Sequence, residues 1–493
     1  MKSTPAPLSL LPMIKPQRCW IHRLRPPTAF LGTLGLITCF TLYLTSCQPS
    51  GARSTPLKID IPNAWKASTN SASTRISTGW VKDFNDPRLS QLVDEANNNN
   101  PDLLATSERL KAARTGVVRA RANRIPSVSS STSGSRSRTN RDAAGSSRSY
   151  TTNQNINIGA SWEIDLWGRL RHLQSAARAD YDATIADLRA TRLSLAANTA
   201  SLWYQLISAE NQVKLAENTL ASYRKVEKII SRNYKAGTAR ALALQLSRNN
   251  VYSAERILRS RLRRRDDSRR NLEIILGRYP SGAITSPTSL PGIRQSVPSG
   301  MPADLINRRP DLVIARKRLE ATFHRAHATQ KNLLPSLQLT GSTGIRSSDL
   351  GNLLDPGFLA SSIASSISQS LFDGGSRRED ARAAVARNQA EIHDFSTAAL
   401  KAFREVESAL ASENWLKQQE HYLQKELEQA ALAERQAERD YAEGIEGVDI
   451  LDLLETQRRA SNARSSLIDL QNQRIQNRIN LHLALGGDFA TSP

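Results

Sequence analysis

Asn98–Ser127 reads NNNPDLLATSERLKAARTGVVRARANRIPS, and Asn307–Ser336 reads NRRPDLVIARKRLEATFHRAHATQKNLLPS; the two align without a gap at an offset of 209. Pro101-Asp102-Leu103, Arg109-Leu110, Ala112 and Pro126-Ser127 return as Pro310-Asp311-Leu312, Arg318-Leu319, Ala321 and Pro335-Ser336. Tyr234-Lys235-Ala236-Gly237 then returns as Tyr441-Ala442-Glu443-Gly444 at an offset of 207, and Leu276-Gly277 as Leu485-Gly486 at 209 again. An ordered series at a nearly constant offset is the signature of a duplication. The expected division is a first copy over 86–278, a Pro-, Gly- and Ser-rich linker over 279–302, a second copy over 303–487 and a tail over 488–493.

Each copy has the same internal grammar. Helices open at Asp86-Pro87, Pro101-Asp102 and Pro310-Asp311, where proline suits the first turn and aspartate the positive end of the helix dipole. They close before Pro126 and Pro335, since proline cannot continue the hydrogen-bond ladder. A strand-like stretch follows. Ile156, Ile158, Ala160, Trp162 and Ile164 alternate with Asn155, Asn157, Gly159, Ser161 and Glu163, which predicts a strand with one apolar face. In the second copy Leu337, Leu339 and Ile345 share one strand face, and Ile363, Ile367 and Leu371 another. Ser127–Ser137, almost wholly polar, is expected to be the partner strand of the first copy.

After Gly168 and Gly375 the period changes to seven. Leu188, Leu195, Leu202, Ala209, Ala216, Tyr223 and Ile230 form one row, with Ile185, Leu206, Val213 and Leu220 beside it. Shifted by 207, the row becomes Phe395, Ala402, Ala409, Leu416, Leu423, Ala430 and Ala437, so the repeat preserves heptad register. A continuous helix from Gly168 to Tyr234 would extend about 100 Å at 1.5 Å per residue. Composition agrees: hydrophobic residues make up 39% and aromatics only 5%, which suits long helices packed through small side chains.

The N-terminus has its own character. Lys2, Lys15, Arg18, Arg23 and Arg25 precede an apolar run from Thr28 to Leu44, and no acid occurs among the first 46 residues. That pattern predicts a secretory signal over 1–46, followed by an N-terminal segment over 47–85. The alternative, an uncleaved membrane anchor, has a run short of the roughly 20 residues a stable span needs. Leu44-Thr45-Ser46-Cys47 resembles the bacterial lipobox, whose cysteine becomes the acylated first residue. The resemblance implies a diacylglycerol on the Cys47 thiol and a further acyl chain such as palmitate, holding the protein to a leaflet. Gln48, where an inner-membrane retention signal would carry Asp, points to outer-membrane sorting. Cys19 and Cys39 leave with the signal, so no thiol chemistry is expected in the mature chain.

The formal charge of +21 raises nucleic acid or an anionic membrane as a partner, and Arg256–Arg270 (RILRSRLRRRDDSRR) holds eight arginines. Secretion separates the chain from cytoplasmic nucleic acid, and Asp266, Asp267 and Glu273 offer local partners, so a solvated or inter-helix face is expected. His324 and His327 are three apart in a helical stretch, with no third metal ligand in the neighbouring sequence. No nucleophile–base pair, carboxylate pair or phosphate loop is evident; the expectation is no enzyme, no cofactor and no metal.

Two strands per copy give four per chain, and an open four-stranded sheet is not tolerated in hydrocarbon. Strands that span a membrane therefore need several chains: three would supply twelve, two would supply eight. The motif series Trp80…Phe84-x-Asp86-Pro87-x-Leu89, Asn100-Pro101-Asp102-Leu103, Trp162-Glu163-x-Asp165-Leu166-Trp167-Gly168, Arg308-Arg309-Pro310-Asp311-Leu312, Leu371-Phe372-Asp373-Gly374-Gly375 and Leu483-Ala484-Leu485-Gly486-Gly487 resembles the TolC-like outer-membrane efflux factors, specifically their NodT-type lipoproteins. The resemblance spans nearly the whole mature chain. It implies a mainly α fold with membrane β: a homotrimer sharing a 12-stranded β-barrel continued by a periplasmic α-helical tunnel. It also implies a periplasmic adaptor (membrane fusion protein) and an inner-membrane pump as partners, and passive export of small molecules such as drugs across the outer membrane. A periplasmic coiled-coil lipoprotein without a pore and a duct for exported polypeptides are the competing readings.

By the same resemblance, Tyr234, Gly237, Tyr441 and Gly444 mark the periplasmic tip turns that meet the adaptor. Ile450–Arg458 (ILDLLETQR) resembles the family segment Leu-x-Leu-Leu-Asp-Ala-Gln-Arg that narrows the tunnel end, with Glu455 for Asp and Thr456 for Ala. Leu451 and Glu455 would then face a constriction, and Arg458 would pair to hold neighbouring helices shut. Spacings of four and three put Leu451, Glu455 and Arg458 on one helix face. Surface ion pairing is the alternative use of these charges.

Overall fold

Asp86 sets the first helix. Its carboxylate accepts hydrogen bonds from the Arg88 and Leu89 amides at 3.0 and 3.2 Å, and Pro87 takes the first helical position, so α1 runs Pro87–Asn99. Asn100 repeats the device for α2 (Pro101–Ala122), accepting from the Asp102 and Leu103 amides. The first copy continues with β1 (Ser127–Asn140), β2 (Arg148–Ile164), α3 (Arg169–Lys235) and α4 (Ala241–Ile275). The second holds a short α5 (Leu305–Arg308), then α6 (Pro310–Lys331), β3 (Ser336–Ser347), β4 (Leu359–Ser368), α7 (Ser376–Glu443) and α8 (Ile450–Ala484). The computed structural model describes residues 61–67, 79–140, 148–292, 297, 300–443, 445 and 449–487; Cys47 and Gly444 lie outside the described residues.

The starts of α3 and α7 share a cause. Asp165 accepts from the Leu170 and Arg171 amides at 2.9 and 2.8 Å, and Asp373 accepts from the Gly375 and Arg377 amides at 3.0 and 3.3 Å. Gly168 and Gly375, at φ +76° and +90°, turn the chain into each helix.

One compact unit comprises Ala112–Ala183 and Ala315–Ser396 among the described residues. Its centre is an antiparallel sheet in the order β1-β2-β3-β4. The registers Val128↔Ala160, Ile156↔Ile345, Ile164↔Leu337, Leu337↔Ile367 and Gly341↔Ile363 bring the valine, leucine and isoleucine residues of all four strands to one face. Ile363 and Ile367 thus join the face of Leu337, Leu339 and Ile345, while Leu371 falls beyond β4, which ends at Ser368. The opposite face carries Ser127, Ser129, Ser131, Ser133, Ser135 and Ser137 on β1, Asn155 and Asn157 on β2, and Gln338, Thr340 and Ser342 on β3. β1 also runs beyond Ser137, to Asn140. At the helix-proximal end, Trp162 Nε1 donates to the Arg124 carbonyl at 2.9 Å, and Trp167 Nε1 to that of Pro335 at 2.7 Å.

The other unit comprises the described residues of Ile61–Lys111, Thr184–Ile314 and Thr397–Pro493. Here α3, α4, α7 and α8 pack side by side. No position of either heptad row is exposed, and Leu206, Ile230 and Ala402 are fully buried. Polar contacts fix the order of the helices. Gln212 Nε2 donates to Asp469 at 3.0 Å (α3 to α8), Arg269 meets Glu210 at 2.5 Å (α4 to α3), and Arg478 meets Glu413 at 2.5 Å (α8 to α7). The arginine run resolves into two faces. Arg261 donates to Ser465 and Arg265 and Arg269 approach Glu210, while Arg256, Arg259, Arg263 and Arg264 are exposed.

Within this unit the duplication has a packing reason. Asn100 Nδ2 donates to the Ile275 carbonyl at 2.9 Å; 209 positions on, Arg309 Nη1 donates to the Ala484 carbonyl at 3.4 Å. Gly277 has φ +73°, and a β-carbon there would sit 2.6 Å from the Asn99 carbonyl oxygen. Gly486 has φ +86°, and its β-carbon would sit 3.0 Å from that of Arg308. Each copy therefore clasps the end of its last helix against the start of its Pro-Asp helix, and only glycine permits the approach.

Candidate functional site

The four-stranded sheet is the first candidate element, through the chemistry of its faces. One face is aliphatic and open to the surroundings: Val128, Ile158, Leu359, Ile363 and Ile367 are all exposed in the single chain, Ile363 by 86%. The other is hydroxyl- and amide-rich. Such a sheet matches an apolar medium on one side and water on the other. Among the described residues no helix is long and apolar enough to cross a membrane, whereas the sheet pairs all its strands internally except along the outer edges of β1 and β4. Those edges offer unpaired amides and carbonyls to strands of further chains.

The turn after α3 is the second. Gly237 has φ +79°, its amide donates to the Tyr234 carbonyl at 3.0 Å, and no atom comes within 4 Å of the position a β-carbon would take. Thr238 closes the turn through its amide and hydroxyl on the Asn233 carbonyl, at 2.9 and 3.0 Å. Tyr234 is exposed, while Tyr441 is half-buried against the cluster of Val226, Ile230, Ala243, Leu244, Leu453 and Leu454. Burial, helped by the charge of Asp449, raises the Tyr441 phenol above its usual value. The two tyrosines of the repeat therefore differ, one presented outward and one used in packing.

The start of α8 is the third. Asp449 and Asp452 form a reciprocal cap: the Asp449 carboxylate accepts from the Leu451 and Asp452 amides, and Asp452 accepts from the Asp449 amide at 3.1 Å. Leu453 and Leu454 turn into the bundle, leaving Leu451 54% exposed. On the same outward face Glu455 accepts a two-pronged contact from Arg458 at 2.8 Å and another from Arg459 at 2.7 Å. These hydrogen bonds and charges hold the Glu455 carboxyl down at about 2. Leu451, Glu455 and Arg458 share one accessible face, and within the chain Arg458 takes its partner from its own helix.

One cluster escapes the sequence. His324 and His327 gain a third histidine, His172, from the start of α3. His172 Nδ1 and His324 Nδ1 lie 3.2 Å apart, and the His172 ring stacks on His327 with centroids 5.2 Å apart. The separation of 152 residues hides the contact from any local pattern. Burial, reinforced by the charges of His327, His324 and Lys331, lowers His172 to about 4; Asp165 opposes the shift. Burial also lowers His324 and His327 below the usual imidazole value. Among the described residues no group of three or more His, Cys, Asp or Glu is arranged to hold a metal ion.

Comparison with known proteins accords with this arrangement. The family profile described as Outer membrane efflux protein matches residues 92–278 and 301–487, falling on both copies. The pyoverdine export outer membrane protein OpmQ of Pseudomonas putida is 30% identical over 442 residues, covering 88% of this chain and 93% of that protein. Outer membrane protein OprJ of Pseudomonas aeruginosa is 29% identical over 465 residues, covering 93% and 96%. The solved structure of the outer-membrane channel OprN superposes with a TM-score of 0.81 at 25% identity, over 90% of this chain and 99% of that one. With its paired strands, heptad helices and Pro-Asp motifs in the family's order, the chain belongs to the outer membrane efflux protein family.

Proposed function

We propose that the protein is the outer-membrane channel subunit of a tripartite efflux system, a passive exit duct for small molecules rather than an enzyme. The observation that carries this reading is the sheet: four strands, one aliphatic face, one hydroxyl- and amide-rich face, and two open edges. Three copies joined edge to edge supply twelve strands, with apolar side chains toward lipid and serine, asparagine and glutamine lining water. Closure removes the edges, which hydrocarbon would not tolerate. Names such as pyoverdine export for OpmQ place relatives in export, and the route by which this chain acquires cargo is then an adaptor and an inner-membrane pump. Energy enters at that pump. Lipid on Cys47 would tether the protein to the outer membrane, and the Tyr234–Gly237 turn, with its counterpart at Tyr441–Gly444, would present the surface that the adaptor meets.

At the start of α8, Leu451 and Glu455 repeated around a three-fold axis would make an apolar ring beside a carboxylate ring. That combination closes a pore by dewetting, with each carboxylate held by the Arg458 and Arg459 guanidinium groups beside it. The boundaries of the two efflux repeats, 86–278 and 303–487, follow from the same reading.

The test is reconstitution of the full-length protein. Purified protein should cross-link as a trimer and conduct ions across phospholipid bilayers. A chain that anchors to vesicles but passes no current would instead be a periplasmic spacer, and the channel assignment would fall.

A further inference from the structure

The register of the first hairpin concentrates charge where the apolar face ends. Arg136 pairs across from Thr152, Arg138 from Tyr150 and Arg148 from Asn140, so all three arginines share the face of Ile156, Ile158 and Trp162. All three are exposed, and the Arg136 guanidinium lies 5.1 Å from the centre of the Tyr150 ring. Between Ser127 and Ile164 the only acids are Asp142, outside the described residues, and Glu163, which Arg169 holds at 2.7 Å. Among the described residues none of the three arginines is ion-paired.

Depth follows from strand geometry. Tyr150 lies twelve residues along β2 from Trp162, which at about 3.3 Å per residue and a tilt of about 40° is a rise of roughly 30 Å. The apolar band of a membrane barrel is only about 25 Å tall. With Trp162 at the helix-proximal boundary, the arginines and Tyr150 stand at head-group level on the far side. Charged side chains are costly at the bilayer midplane but tolerated at head-group level.

We propose that Arg136, Arg138 and Arg148, with Tyr150, form a docking surface for the phosphate groups of the glycolipid that makes up the outer leaflet. This rests on the channel reading above, which turns the apolar face toward lipid. Guanidinium forks match phosphate oxygens two at a time, and an aromatic ring suits the boundary between acyl chains and sugars. Among the described residues the patch carries three positive charges without an ion-paired acid, complementary to a phosphorylated lipid surface.

The test uses full-length protein in detergent, incubated with diphosphorylated lipid A or its phosphate-free analogue, and reads the lipid retained after removal of excess. Removing each arginine should weaken retention of the phosphorylated lipid about fivefold, and R136Q/R138Q/R148Q on the order of a hundredfold. The phosphate-free lipid should be held weakly by every variant. Equal retention by wild type and the triple variant, or equal retention of the two lipids by wild type, overturns the docking surface. Single variants keep the comparison meaningful if the triple variant does not fold. Conductance in phospholipid bilayers separates the two claims. Conducting proteins with unchanged lipid retention overturn the patch alone, whereas a wild type that never conducts overturns the channel reading beneath it.

Discussion

Substituting Gly277 by alanine tests whether the repeat is held together by its glycine clasp. Two costs arise there. At φ +73° an alanine must occupy the left-handed region, which costs about 1–2 kcal/mol. Its β-carbon would also stand 2.6 Å from the Asn99 carbonyl oxygen, so the α1–α2 junction must move by several tenths of an ångström. That junction is tied by Asn100 Nδ2 to the Ile275 carbonyl at 2.9 Å, and forced overpacking of this kind costs about 1–3 kcal/mol. The expected total is about 2–5 kcal/mol. Gly237→Ala is the internal control: φ is +79°, but nothing lies within 4 Å of the new methyl, leaving only the conformational cost of about 1–2 kcal/mol. Denaturant unfolding of full-length protein in detergent, followed by the helical circular dichroism signal, should rank G277A well below G237A. Coincident midpoints would refute the clasp, since only the close approach distinguishes the two sites.

Four further outcomes are expected. Leu451→Ala should raise single-channel conductance on the order of tenfold, equivalent to a barrier lowered by about 1.4 kcal/mol, and Glu455→Gln, which leaves Arg458 and Arg459 uncompensated, should shift ion selectivity toward anions; wild-type behaviour in both would remove the gate from this helix face. Because the Glu455 carboxyl is held at about 2, its contacts with Arg458 and Arg459 are complete above the ordinary carboxylate range and vanish only as pH falls through about 2, so selectivity should stay constant from pH 7 to 4. Trp203 is fully buried and its Nε1 donates to Asp86 at 2.7 Å, so Trp203→Phe should cost about 2–4 kcal/mol in the same unfolding assay, and a neutral result would discount the cap-to-bundle tie. His172 is depressed to about 4, so the unfolded chain binds protons that the folded chain refuses between the ordinary value of 6.5 and about 4. Stability should therefore fall as pH drops through that window and level off below it; His172→Gln should flatten the fall, and an unchanged pH profile would place the cost elsewhere.

Much of this protein was legible in one dimension because its physics is periodic. Alternation along Asn155–Ile164 marks the last ten residues of β2, which begins earlier, at Arg148, and sevenfold spacing from Leu188 to Ile230 marks the buried stripe of α3, since side-chain direction in a strand or helix depends only on residue number. Asp86, Pro101 and Pro310 announce helix starts because capping is satisfied within a few residues. Even β1, with hardly an apolar residue, was recoverable from its place in the repeat. What depended on tertiary structure was partnership across long separations. The sheet register put Ile363 on the face of Leu337 and Leu339, a matter of which strand pairs with which. His172 met His324 across 152 residues, and Gly277 met Asn99 across the length of a repeat. The arginines of 256–270 divided between inward pairs and open solvent only once α3 and α8 had been placed beside α4. Local order follows from covalent geometry and hydrogen-bond spacing, so residue order alone specifies the elements and their doubling. Contacts between distant residues follow from packing the whole chain at once, so the clasp, the histidine cluster and the common apolar face were decided by the tertiary structure.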